Sequence, residues 1–231
     1  PDYPPTNLNL PDFHFTVLNE TDRLNFLFYA TDQANAIQIA TNMPHPEDSS
    51  IRSLDTSDIL VFPGMSIQAA VDAANPGDTV IVAAGTYVEN VDTGNRIIKG
   101  LTVRGVADGE GNYPLVKGSM KFGAPRTVGG DYAQKNLVLE NFRVEANLTD
   151  TSLYGTTRHA LWVENFENAQ LRNIELVGTE PNSMFAIQYG LSVGGRAKDY
   201  TIDNVTMENF LIGVYGRALN MTIQNSDISH V

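Results

Sequence analysis

The stretch SIQAAVDAANPGDTVIVAAGTYVENV, Ser66 to Val91, changes its periodicity halfway. In its first part Ile67, Ala70, Val71 and Ala74 fall at i, i+3, i+4 and i+7, one apolar stripe of a helix. Ser66 stands where its hydroxyl can accept from a free N–H of the first turn. Asn75-Pro76-Gly77 stops the helix, because proline cannot continue it and glycine tolerates the turn. TVIVAAGTYVENV then reads as a β-branched strand, a glycine turn and a second short strand. A helix this short is marginal alone in water. Placed ahead of strands, it is expected to lie across an apolar end that would otherwise be wet.

The strand-rich remainder of the chain shows which end. LVLENFRV (137–144), QLRNIEL (170–176), TIDNVTM (201–207) and TIQNSDI (222–228) share one pattern. An aliphatic residue (Leu139, Leu171, Ile202, Ile223) precedes an asparagine (Asn141, Asn173, Asn204, Asn225) by two, and an apolar residue comes three after it. LTVRGVA (101–107) fits the same unit with Gly105 at the asparagine position. A second series interleaves: ALWVEN (160–165), GLSVGG (190–195) and LIGVYG (211–216). Its Val163, Val193 and Val214 precede their asparagines by 10, 11 and 11 residues, while the asparagines themselves lie 32, 31 and 21 apart. Constant core segments with variable connections are the mark of stacked coils.

The reading is therefore an all-β parallel solenoid over residues 59–231, capped at its start by the short helix. Equivalent residues of successive coils should lie about 4.8 Å apart. Leu161/Val163, Leu191/Val193 and Ile212/Val214 are expected inside, with Trp162, Ser192 and Gly213 outside. The asparagines are expected to hydrogen-bond coil to coil as a ladder, a structural role that outweighs a catalytic one. Residues 1–58 differ: a proline-marked lead, mixed short runs and the polar linker PHPEDSSIRSLDTSD read as an N-terminal extension or small subdomain. The final segment TIQNSDISHV ends in or just after a strand, so an open last coil is expected, to be covered by further chain or by a second chain or subunit.

With the cap helix, NPGDTVIVAAGTYVENV and the asparagine coils together, residues 60 to 231 resemble the right-handed parallel β-helix proteins of the pectin-lyase-like superfamily. GTYVENV is also similar to the early Gly-x-Tyr-x-Glu signature of pectin methylesterases. The later motifs of that family are absent, so Tyr87 and Glu89 are read as turn and cap residues. The superfamily resemblance implies a substrate lying along the outer face of one sheet, in a groove walled by loops.

The long insertions 145–158 and 177–189 leave the coil after the asparagine strand and return before the next Leu-x-Val strand, as one wall of such a groove would. Candidates near it are Arg158, Trp162, Glu164 and Arg196 for substrate, and His159, Lys198, Tyr215 and Arg217 for catalysis. Arg196 and Arg217 come three after Val193 and Val214, so they should stack and hold an anion or carboxylate between them. A β-eliminating lyase needs a cation on the uronate carboxylate, a base for the adjacent C–H and an acid for the leaving oxygen. These residue types supply all three. Outward Glu140, Asp203, Glu175 and Asp227 show no compact acid pair, which ranks hydrolysis lower.

Composition narrows the rest. The 231 residues are 42% apolar and 18% charged, with 27 acidic and 15 basic side chains for a net charge of -12. That field disfavours nucleic acid as a partner and would also repel an acidic polysaccharide unless basic residues or bound cations gather locally; the polysaccharide partner expected here is what the superfamily resemblance implies. No apolar run is long enough to span a membrane. With no cysteine, thiolate zinc sites and cysteine catalysis are excluded. Cofactors are left open; calcium is compatible with outward carboxylates, although no calcium-loop motif occurs. Two readings stand: a secreted or cell-surface lyase or epimerase on an acidic (uronate) glycan, and a non-catalytic surface, adhesion or structural β-helix.

Overall fold

A computed structural model of the chain describes residues 58–94, 99–123, 134–146, 157–178 and 187–229. The N-terminal segment 1–58 lies outside them except for its last residue, as do the middles of both long insertions, 147–156 and 179–186. The elements run β1 (Asp58–Val61), α1 (Ile67–Ala73), β2 (Thr79–Ala83), β3 (Thr86–Tyr87), β4 (Val91–Asp92), β5 (Thr102–Val106), β6 (Leu115–Lys117) and β7 (Met120–Phe122). They continue with β8 (Gln134–Ala146), β9 (Thr157–Glu164), β10 (Phe166–Gly178), β11 (Ile187–Glu208), β12 (Ile212–Gln224) and β13 (Asp227–Ser229). The described strand pairings are all parallel, within one 13-stranded sheet.

That sheet turns at corners into three faces, and the register makes each face a stack. On face A, Ile59, Val80, Val103, Leu139, Leu171, Ile202 and Ile223 pair in succession, an aliphatic column through seven coils. On face B the column is Tyr87, Val116, Val144, Leu176, Met207 and Ile228. On face C it is Val91, Met120, Leu161, Leu191 and Val214. From Val80 to Ile202, from Tyr87 to Met207 and from Val91 to Leu191 these residues are buried, and they form one continuous core. In the last coil Ile223 and Ile228 are exposed.

Two corners of every later coil are a single residue in the left-handed region. Asn141, Asn173, Asn204 and Asn225 have φ of 66, 50, 53 and 51°, and Asn136, Asn168, Asp199 and Asn220 have φ of 58, 63, 56 and 59°. Among the described residues every non-glycine with positive φ is Asn or Asp, the side chains that tolerate this conformation best. The amides then stack. Asn204 Nδ2 donates to Asn173 Oδ1 (2.8 Å), Asn173 Nδ2 to Asn141 Oδ1 (3.0 Å), and Asn141 Nδ2 to the Gly105 carbonyl (3.1 Å). Asn225 departs from the ladder and donates to Asp203 Oδ1 instead (2.8 Å). The second corner has its own links, Asn168 to Asn136 (2.9 Å) and Asn220 to Asp199 (2.8 Å).

Helix α1 covers the first coil. Ser66 Oγ accepts from Ala69 N–H, and Ile67, Ala70 and Val71 are buried. Glu89 closes the N-terminus, accepting from Ser66 Oγ and Ile67 N–H at 2.7 Å and from Gln68 N–H at 3.1 Å. Gln68 acts as a missing strand for β4: its Nε2 donates to the Asp92 carbonyl (3.0 Å) and its Oε1 accepts from Asp92 N–H (2.6 Å). Glu89 is thus the cap residue expected. Tyr87 is not a turn residue, because its ring fills the interior of face B and its hydroxyl donates to the Ala83 carbonyl at 2.9 Å.

The structure corrects one alignment expected from the sequence. Val193 stacks on Val163 but pairs with Gly216, while Val214 pairs with Leu191 and Ile212 with Tyr189. Between the paired residues Val193 and Ala197 lie Gly194, Gly195 and Arg196; between their partners Gly216 and Ala218 lies only Arg217. This bulge takes up two residues, so counting back from the asparagine misplaces the last coil by two. Gly195 is required there: its φ is 67°, and a Cβ would sit 2.0 Å from Asn165 Oδ1.

The ladder separates two contributions that substitution can measure. Asn173→Gly removes two amide hydrogen bonds but keeps the corner, a loss of about 1–2 kcal/mol. Asn173→Ala keeps a Cβ at positive φ without the polar side chain that makes the left-handed region tolerable, and should cost about 1 kcal/mol more than the glycine variant. Urea unfolding of the two variants checks this; equal stabilities would show that the corner conformation carries no cost.

Candidate functional site

The outer face of C is where polar and aromatic side chains gather. Asp92, Lys121, Trp162, Ser192 and Tyr215 pair in register through five coils and alternate with the buried columns. The neighbouring Ala160 and Gly190 break that alternation: Ala160 is buried, and a Cβ on Gly190 would meet Phe210 and Met207 Sδ in the core. His159 and Tyr189 therefore emerge on the same outer face. Four rings make a continuous row, Trp162 to His159 (4.6 Å between centroids), His159 to Tyr189 (5.0 Å) and Tyr189 to Tyr215 (4.6 Å). Lys121 Nζ sits 5.2 Å over the Trp162 ring and 3.5 Å from Asp92 Oδ2.

The row grades from covered to open. His159 is 5% exposed and Tyr215 is 55% exposed. His159 Nδ1 lies 2.5 Å from Ser192 Oγ, itself buried. Burial first, and the Lys121 charge second, lower the imidazole pKa from 6.5 to about 4, so the ring is neutral at pH 7. Burial and then the Tyr215 phenol raise the Tyr189 hydroxyl above its ordinary value. A neutral imidazole, two phenols and an ammonium thus share one surface, a set able to exchange protons and to hold an anion.

The structure gathers His159, Trp162 and Tyr215 as expected. Glu164 ends β9 at the rim of this face, and the side chain of Arg158 lies outside the described residues. Lys198 belongs elsewhere. It pairs with Glu167 (2.7 Å) and Asp199 (3.4 Å) in a charge ladder that includes Lys135, 3.0 Å from Glu167. Glu167, then Asp199, raises its pKa, which holds the ammonium protonated and unsuited to act as a base. Arg196 and Arg217 each precede one of the paired alanines Ala197 and Ala218, so they meet at one corner, although by a different register from the one counted in the sequence. Both are exposed, and neither makes an ion pair among the described residues.

Lys121, Asp92, Tyr189 and Ser192 are the site members that sequence reasoning misses. Strand alternation puts Ser192 outward without marking it as functional, and Tyr189 lies at the end of an insertion. Lys121 and Asp92 come from early coils that lack an asparagine to align them. Among the described residues no group of three or more carboxylates or histidines is placed to hold a metal.

No family model matches the chain, and no curated protein sequence is similar to it. Among solved structures, the crystal structure of alginate lyase from Paenibacillus sp. str. FPU-7 is similar at 12% identity and a TM-score of 0.35. The match covers 74% of this chain and 66% of that one, less than two thirds of its length.

The buried imidazole gives a pH signature. The unfolded chain takes up the proton near 6.5 and the folded protein only near 4, so stability is full above 6.5 and falls with pH between the two values. The loss reaches up to about 3 kcal/mol. The drop in unfolding free energy from pH 7 to pH 4.5 should be larger in the wild type than in His159→Phe by up to that amount; equal drops would mean that the imidazole is not buried in the folded state.

Proposed function

We propose that this chain is a secreted or cell-surface polysaccharide-active β-helix protein, related to the pectin-lyase-like superfamily, that binds an acidic (uronate) glycan along the outer face of C and cleaves it by β-elimination. The observation that carries this reading is the row of four rings flanked by a cation. A sugar polymer laid along the solenoid axis meets Trp162 on β9 and Tyr215 on β12, and the buried His159 and Tyr189 between them fix that spacing through the register. Lys121, with Arg196 and Arg217 at the adjacent corner, supplies the positive charge that a polymer of carboxylates needs against the net -12 of the chain.

In the elimination Arg217, two residues from Tyr215 on β12 and lining one recess with it, neutralises the uronate carboxylate and so acidifies the neighbouring C–H. A base takes that proton; the C–H electron pair becomes the new C=C bond as the adjacent C–O bond breaks, and an acid gives its proton to the departing oxygen. Tyr215 is the exposed member of the row and acts on substrate directly, as the phenolate that takes the C–H proton and then as the phenol that gives it to the departing oxygen. Trp162 positions the sugar, and the buried His159 and Tyr189 hold the row in place. The apolar side chains that the last described coil leaves exposed, among them Leu219, Met221, Ile223 and Ile228, belong to the same proposal: another coil or a second chain would cover them.

A second reading, binding without turnover, is favoured by the near-complete burial of His159 and the ion-paired state of Lys198. Incubation with alginate, polygalacturonate and other uronate polymers, with calcium and with chelator, separates the two. Elimination gives an ultraviolet absorbance from the unsaturated uronate, and Tyr215→Phe should lower its rate by about 10²–10⁴. Binding with no absorbance selects the non-catalytic reading, and absence of both activity and binding removes the assignment of this face.

A further inference from the structure

A recess lies away from face C, at the corner between faces A and B. In the later coils that corner is the single asparagine of the ladder, whereas after β5 the chain inserts residues 107–114 before β6 begins. Gly105 makes this possible: a Cβ there would lie 1.9 Å from the Asn141 carbonyl and 2.7 Å from Pro114 Cγ, so only glycine lets the returning loop pack against the next coil. The loop is fixed by its own turn, in which Asp108 Oδ1 accepts from the N–H groups of Glu110 (3.0 Å) and Asn112 (2.9 Å). Tyr113, 41% exposed, is thereby held over the next coils. The resulting recess has a volume of about 330 Å³ and is lined by Tyr113, Arg143, Asn173, Glu175, Asn204 and Thr206.

Its polar groups are of a particular kind. Arg143 Nη1 is 2.8 Å from Glu175 Oε1 and its Nη2 is 3.3 Å from Glu145 Oε1, so the cation is matched by two carboxylates and the recess carries no excess positive charge. The ladder ends in it with a spare acceptor. Because Asn225 donates to Asp203, no described residue donates to Asn204 Oδ1. An aromatic wall, an ion pair with accessible edges, an amide acceptor and a threonine hydroxyl on a rigid floor are what a pyranose ring with several hydroxyls requires.

We infer that this recess is a binding site for a neutral, hydroxyl-rich sugar unit of a glycan, separate from the acidic-glycan face. The sugar ring packs on Tyr113, its hydroxyls donate to Glu175 and Asn204 Oδ1, and Arg143 donates back to a sugar oxygen. With Lys117 3.7 Å from Glu145, two cations balance the two carboxylates, so the recess has no net positive charge to draw a uronate and favours a neutral unit.

Native gel electrophoresis through gels containing hydroxyethyl cellulose, galactomannan or xyloglucan tests this, with alginate gels alongside. At least one neutral glycan should retard the wild type. Tyr113→Ala should weaken that retardation about tenfold, as should Glu175→Gln, which keeps the side-chain volume. Tyr215→Ala should leave it unchanged while altering behaviour in alginate, so failure here and failure of the face C assignment are read separately. Absence of retardation by every neutral glycan, equal retardation of Tyr113→Ala and wild type, or retardation by alginate alone would overturn the inference.

Discussion

The structure depends on a backbone constraint at its corners. A parallel solenoid must turn sharply between strands while every strand stays in register with the coil before it, and here one residue in the left-handed region makes that turn. Asparagine fills the position for two reasons that act together: it tolerates positive φ, and its amide can both donate to and accept from the same residue one coil away. Two such ladders, five residues apart, bracket the short strand on face A from the Lys135–Glu167–Lys198 side to the Asn141–Asn173–Asn204 side. The apolar columns are the consequence, because a fixed turn keeps Leu139, Leu171 and Ile202 over one another. The burial of these columns is the dominant stabilising term, and the ladders decide which residues are buried.

Much of this is legible in the residues. The i, i+3, i+4, i+7 stripe at Ile67–Ala74, the Ser66 cap and the Asn141–Asn173–Asn204 ladder all lie where local chemistry places them. The second ladder escapes a sequence reading although Asn136, Asn168 and Asn220 precede the first set by five in each coil, because Asp199 interrupts the asparagine pattern. The shift of Val214 onto Leu191 is not readable at all. It arises from a bulge around Gly195, and a bulge leaves no trace in hydrophobic spacing. Tyr87 misleads for a simpler reason: a signature-like sequence suggests a turn where the burial of a large ring decides the matter.

The candidate site is legible only by residue type. His159 and Trp162 share β9, Tyr215 comes to the same face from β12, and Tyr189 on β11 links them through the break in alternation at Ala160 and Gly190. Lys198 looks equivalent in the sequence, but it comes after the Asn165–Gly195 corner, and that turn commits it to a charge ladder. Position relative to a corner therefore decides which charged residues can act on a ligand. The same rule explains the contrast between face C and the recess at the A–B corner: Arg196 and Arg217 make no ion pair among the described residues, whereas Arg143 is closed in by Glu175 and Glu145.

The coil-on-coil register can be tested directly by crosslinking, because the chain has no cysteine of its own. Gln170 pairs with Thr201 and Thr201 with Thr222, on the outer side of face A. Under mild oxidation the double variants Gln170→Cys/Thr201→Cys and Thr201→Cys/Thr222→Cys should each form an intramolecular disulfide, since adjacent coils set the Cα atoms about 5 Å apart. Gln170→Cys/Thr222→Cys, two coils apart, should remain reduced. Equally rapid crosslinking of that third pair, or no crosslinking of the first two, would contradict the stacked register on which the ladders, the aromatic row and the recess rest.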